Sequence, residues 1–230
     1  MRRRLLLSLL LSVLAFLLGS IPAHAVESKA IIALPSFDLE SDYEAADVTI
    51  VYEENLAENS FEARVLDRES GETLEVVREI PELPLNMVNA MRRSTTGTRA
   101  QRTYDTTLQK DVVLASGEGK SIIATVSARV RVTSDHSWAQ IDYVYECHHS
   151  GGGSGSYTLN TFGTYYNTQQ GFPVVALKVD FNGVIEVKSS NTAGFSFKLL
   201  TNLGFSISGS STSTWYARKS YNASTTFRVM

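Results

Sequence analysis

Apolar and polar residues alternate along much of this chain. In SIIATVSARVRVT, residues 121 to 133, Ile122, Ala124, Val126, Ala128, Val130 and Val132 fall on one set of positions, and Thr125, Ser127, Arg129, Arg131 and Thr133 on the other. A period of two over that length predicts a strand with one buried face. SWAQIDYVYEC, residues 137 to 147, follows a turn at Ser134-Asp135-His136 and predicts a second strand, with Ala139, Ile141, Tyr143, Tyr145 and Cys147 on a common face. Further strands are expected at 157 to 166, 173 to 181, 184 to 188, 194 to 200, 203 to 208, 213 to 219 and 224 to 229. Asn182-Gly183 reads as a hairpin turn, since both residues tolerate positive φ.

The earlier part reads differently. ADVTIVYEE, residues 46 to 54, is rich in β-formers, and residues 61 to 80 predict two strands around a turn at Ser70-Gly71. Val48, Ile50, Phe61, Ala63, Val65, Leu74 and Val76 could form its apolar face. Residues 26 to 45 read as an arm, with a short helix as an option near Glu40 to Ala46, and Leu85 to Arg93 fits a short amphipathic helix within a linker. The fold class expected is all-β: an antiparallel, β-sandwich-like C-terminal domain over 103 to 230, preceded by a small acidic segment containing a β-hairpin.

Charge sharpens this division. From Glu27 to Asn86 there are 16 Asp and Glu against 4 Lys and Arg, and from Met87 to Met230 there are 8 acids against 14 bases. The formal net charge of −3 conceals that asymmetry, which is of the kind left by an interaction partner or a detachable tail. Between the halves, residues 87 to 102 form a basic linker in which Arg92, Arg93, Arg99 and Arg102 are candidate processing positions for a trypsin-like protease. The acidic 26 to 86 segment then reads as a possible pro-region.

The N-terminus gives the compartment. Three arginines precede an apolar run from Leu5 to Leu18, and Ala23-His24-Ala25 places small residues where a signal peptidase reads. That run is shorter than the ~20 residues a membrane-spanning helix needs, so residues 1 to 25 read as a signal peptide on a secreted, extracellular chain. With a single cysteine in the sequence, no intramolecular disulfide can form.

The sequence carries few signs of chemistry. Cys147-His148-His149 suggests a metal site, yet neighbours on a strand point to opposite faces, so only Cys147 and His149 could share an ion, with His136 as the third ligand. A small buried hydrophobe is the plainer reading of Cys147. No G-x-S-x-G elbow or H-E-x-x-H helix is present. The run Gly151-Gly152-Gly153-Ser154-Gly155 lacks the Lys-Ser/Thr ending of a phosphate loop and reads as a flexible connection. No cofactor or nucleic-acid partner is expected, and no catalytic residue stands out.

What remains is a surface. Near the C-terminus, Trp215, Tyr216, Arg218, Lys219 and Tyr221 set aromatics beside cations within a Ser/Thr-rich stretch. Such groups can meet an anionic bacterial envelope or a membrane surface, or stack on sugars. Three functions follow as expectations. One is a non-enzymatic, bacteriocin-like or toxin-like protein whose acidic segment acts as an internal partner restraining the basic domain. Another is a cell-wall- or carbohydrate-binding or adhesin module. A metal- or thiol-dependent enzyme centred on Cys147 is a third.

Overall fold

The computed structural model describes residues 28–93, 101–135, 137–151, 157–168, 171–188, 195–211 and 214–230. The candidate signal peptide, Arg99, His136 and most of the glycine run lie outside the described residues, as do the side chains of Arg92 and Arg93.

The chain is almost wholly antiparallel β, arranged as two six-stranded sheets around one core. It begins in sheet A with β1 (Lys29–Ala33) and β2 (Asp38–Glu44). It then builds all of sheet B as a meander: β3 (Val48–Asn55), β4 (Ser60–Asp67), β5 (Thr73–Pro81), helix α1 (Leu85–Arg93), β6 (Arg102–Gly117), β7 (Lys120–Ser134) and β8 (Ala139–Gly151). It returns to sheet A with β9 (Thr158–Asn167), β10 (Ala176–Lys188), helix α2 (Phe197–Asn202), β11 (Ser206–Ser211) and β12 (Thr214–Val229). The order in sheet A is β1-β2-β12-β10-β9, with β11 also paired to β12.

The alternation of β7 performs as its sequence predicts, with all six of its apolar positions fully buried. They share one core cluster with Leu177, Val179, Phe181, Ile185 and Val187 of β10 in the other sheet. The turn at Ser70-Gly71 is also present, with Gly71 at φ 71°.

Several expectations are corrected. Residues expected as an arm or short helix form β1 and β2, because Ile32, Leu34, Phe37 and Leu39 bury their side chains in the common core. Asn182-Gly183 makes no hairpin: β10 runs straight through it, paired with β9 on one side and β12 on the other. Residues expected as a strand at 194 to 200 include the start of α2, whose first turn is capped by the Ser196 hydroxyl accepting from the Leu199 N–H. The two strands expected after 213 are one, β12. On β5 the half-buried Leu74 packs against the core as expected but Val76 does not, and the buried residues include Glu75, Val77 and Glu79. Their register sets them against β6, whose Thr106 and Lys110 also face inward and supply partners.

The acidic segment and the basic part share one core, so a boundary at 87 to 102 separates no two folding units in this arrangement. Strands from 28–86 complete both sheets, and β2 pairs with the C-terminal end of β12 at Arg228↔Glu40 and Val229↔Leu39. Their opposite charges pair across the one fold, buried at Lys110–Glu75 and more exposed at Arg129–Glu82 and Arg228–Glu40. Asp42 and Glu75 bind Lys110, Glu82 binds Arg129, and Glu40 lies 3.7 Å from Arg228.

Candidate binding surface

β8 positions the principal surface through two bulges. Its pairing with β7 slips between Arg129 and Val130 and again between Arg131 and Val132, so β8 carries an extra residue at each place. Each extra residue reverses which face the following side chains take. Ile141, Val144 and His149 point inward, whereas Tyr143 and Tyr145, expected to share the buried face with Ile141, turn outward. Cys147, beyond both slips, again packs against the core.

The outward tyrosines begin a row of rings. Tyr143 and Tyr145 meet edge to face with centroids 5.1 Å apart. Phe172, in the segment leading into β10, lies 6.2 Å from Tyr143, and Tyr166 at the end of β9 lies 6.1 Å from Phe172. The row therefore runs from the edge of sheet B to the edge of sheet A. Tyr143 is 52% exposed, Tyr166 44% and Tyr145 37%, and the half-buried Phe172, packed against the core, links Tyr143 to Tyr166.

Charged groups brace one end. The guanidinium of Arg129 sits 4.8 Å from the centre of the Tyr145 ring and that of Arg131 5.7 Å. Arg129 is held by Glu82, and Arg131 by Asp105, which also accepts the Tyr145 hydroxyl at 3.0 Å. The Arg131 hydrogen bond holds the Asp105 carboxyl below its ordinary range, so this carboxylate stays charged at neutral pH. The Tyr145 ring is thus fixed from two sides while its edge stays in water.

The C-terminal surface candidates divide. Trp215 and Tyr221 are buried at 9% and 8% exposure and belong to the core, because both fall on the inward parity of β12. They cannot serve as surface contacts in this fold. Tyr216 is exposed, with Arg218 stacked at 4.9 Å, and Arg218 is also bound to Glu186. Lys219 is half-buried and donates to the Leu203 carbonyl.

Of the metal candidates, His136 lies outside the described residues, and His149 and Cys147 are engaged otherwise. Both ring nitrogens of His149 are occupied, Nδ1 by the Thr164 hydroxyl and Nε2 by the Tyr221 hydroxyl, each at 2.7 Å. Cys147 is shielded, and burial followed by the Glu146 charge pushes its thiol up to about 11. Among the described residues, no group of three His, Cys, Asp or Glu could hold an ion. Of the linker arginines, Arg102 opens β6 and donates to the Met91 carbonyl at 2.6 Å, while Arg92 and Arg93 end α1.

Sequence reasoning passed over Tyr143 and Tyr145 because strict alternation assigned them to the core. A usable signal was present: an inward run through Tyr143, Tyr145 and Cys147 would leave Val144 outside among Asp142 and Glu146. Comparison with protein-family profiles, curated proteins and solved structures finds no match.

Proposed function

We infer that this protein is a secreted, non-catalytic β-sandwich module that binds a polysaccharide of a cell wall or envelope through the row Tyr145, Tyr143, Phe172 and Tyr166. The observation that carries this reading is the row itself, in which successive rings stand 5.1, 6.2 and 6.1 Å apart along one edge, with three tyrosines exposed and Phe172 half-buried between them. A pyranose ring has an apolar face of C–H bonds that packs on an aromatic face, while its hydroxyls stay hydrated. A row of rings therefore suits a chain of sugars better than a single small molecule. The N-terminal sequence, with its charged start, short apolar run and small-residue cleavage pattern, supports export to where such polymers lie.

The setting of the row favours a hydrated polymer over a lipid bilayer. Insertion of Tyr145 into hydrocarbon would carry the Arg129–Glu82 and Arg131–Asp105 pairs toward it, at high desolvation cost. Restraint by a detachable acidic segment finds no support in a fold where that segment supplies strands to both sheets.

The test is retention of the full secreted chain on insoluble polysaccharides and purified cell-wall sacculi. Wild type should co-sediment with at least one of them, and Tyr143→Ala combined with Tyr145→Ala should reduce retention tenfold or more without altering the melting profile. Failure of wild type to bind any polymer, or unchanged retention by the double variant, would overturn the reading.

A further inference from the structure

The outer face of sheet A carries a groove that the aromatic row does not use. Its floor is one rung of the sheet, in which Asn167 on β9, Lys178 on β10 and Thr226 on β12 are successive pairing partners. The adjoining rung adds Arg228, opposite Ala176. Its wall is the stretch Pro173 to Val175, tied to both sheets: Ile141 and Val174 exchange backbone hydrogen bonds of 2.7 and 2.9 Å, and the Val229 N–H donates to the Val175 carbonyl at 2.9 Å. The cavity measures about 560 Å³, inside the range of ~300–1,000 Å³ common to small-ligand sites.

The groove combines three kinds of contact. Val174 and Val175 make the wall apolar, Asn167 and Thr226 can donate and accept hydrogen bonds, and Lys178 and Arg228 contribute two positive charges. The rung on the other side places Tyr165, 64% exposed, two residues along β9 from Asn167 and on the same face. Its ring lies over Gly163, where any added Cβ would collide with it, so the glycine provides a bed for a flat aromatic platform.

Both cations already have carboxylate neighbours, Asp180 at 2.9 Å from Lys178 and Glu40 at 3.7 Å from Arg228. The two basic side chains are each 53% exposed, and solvent-exposed pairs of this kind hold weakly. An anion entering the groove would meet the lysine as a mobile point charge and the arginine as a planar, two-pronged donor.

We propose that this groove is a second binding site, specific for a sugar bearing a carboxylate, with Lys178 and Arg228 taking the carboxylate, Asn167 and Thr226 the ring hydroxyls, and Tyr165 a neighbouring sugar face. The proposal rests on the reading of the protein as a glycan binder, but it concerns other residues and a different ligand property, negative charge. It makes the protein selective for acidic polymers such as polyuronates over neutral ones of the same length.

Isothermal titration of the full chain with oligogalacturonate and with a neutral galactose oligomer of equal length tests it. Oligogalacturonate should bind at least tenfold more tightly, and Lys178→Ala with Arg228→Ala should abolish that preference while leaving neutral-glycan binding within twofold. Both substituted side chains are exposed, and an unchanged melting profile would confirm that the fold is retained. Equal affinity of wild type for the two oligomers, or a preference that survives the double variant, would overturn the proposal. The aromatic row is judged separately, by loss of neutral-polymer retention in the Tyr143 and Tyr145 variant. A neutral binder without acid preference would leave the row standing and remove the groove. A glycerol-phosphate oligomer added as a third titrant identifies the anion: binding as tight as that of oligogalacturonate would overturn the carboxylate assignment.

Discussion

Nε2 of His149 lies 2.7 Å from the phenolic oxygen of Tyr221, joining β8 of one sheet to β12 of the other inside the core. A neutral imidazole donates through one nitrogen and accepts through the other, and the hydroxyls of Tyr221 and Thr164 can complement either tautomer. Phe181 packs at 5.0 Å from the same ring. Tyr221→Phe removes one partner and leaves a buried ring nitrogen unsatisfied, so we expect a loss of about 1–3 kcal/mol in urea unfolding, with little change in the slope. A loss below the error of the measurement would show that water replaces the phenol.

The same ring makes stability pH-dependent. Burial, followed by the neighbouring His148, lowers the His149 pKa from its ordinary 6.5. The unfolded chain therefore takes up a proton near 6.5 while the folded chain does not. Stability from this group is complete above that pH and declines as pH falls from there through the lowered folded value. Melting temperatures between pH 7.5 and 5 should fall more steeply for wild type than for His149→Gln, which cannot titrate. Parallel slopes would assign the pH dependence to other groups.

Much of the architecture is legible in the sequence, and the misreadings share a cause. Period two marks β7 plainly, and the Ser70-Gly71 turn is recognisable from residue type. Each of these is a local signal. The faces of Tyr143 and Tyr145 depend on two bulges set by pairing with β7, which no local pattern encodes. Asn182-Gly183 has the composition of a turn, but tertiary context selects the glycine for its lack of a side chain. Glu75 and Glu79 face inward because their partners come from strands distant in sequence. The aromatic row likewise draws on three separated stretches, so composition could indicate an aromatic surface without locating it.

Gly183 illustrates this directly. A Cβ at this position would lie 2.6 Å from the Tyr221 hydroxyl oxygen and would run into the Asn160 backbone carbonyl. Backbone atoms cannot rotate aside as a side chain can. Gly183→Ala should therefore destabilise the protein by about 1–3 kcal/mol, as overpacking does. Asn182→Ala, whose Cβ already exists, should have a smaller effect. Similar losses in the two variants would mean that the site relaxes freely.

Cys147 should behave as an inert core residue. With its thiol pushed up to about 11, almost none is thiolate at pH 8. Iodoacetamide should label the native protein slowly at that pH and the urea-unfolded protein at the rate of a free thiol. Fast native labelling would indicate that β8 opens, and would return Cys147 to consideration as a reactive group.

The ion cluster between the sheets yields the largest expected effect. Lys110 Nζ lies 2.7 Å from both Glu75 and Asp42, with side-chain exposures of 7%, 3% and 58% respectively. Glu75 is further held by the Ser41 hydroxyl at 2.6 Å. Lys110→Met strips Glu75 of its counter-charge in a buried place, and the expected cost is about 3–5 kcal/mol. Asp42→Asn removes a largely hydrated partner and should cost no more than about 1 kcal/mol. Pairing Lys110→Met with Glu75→Gln removes both buried charges and should recover much of the loss. A double variant no more stable than Lys110→Met alone would show that packing of the lysine stem, rather than the stranded carboxylate, sets the cost.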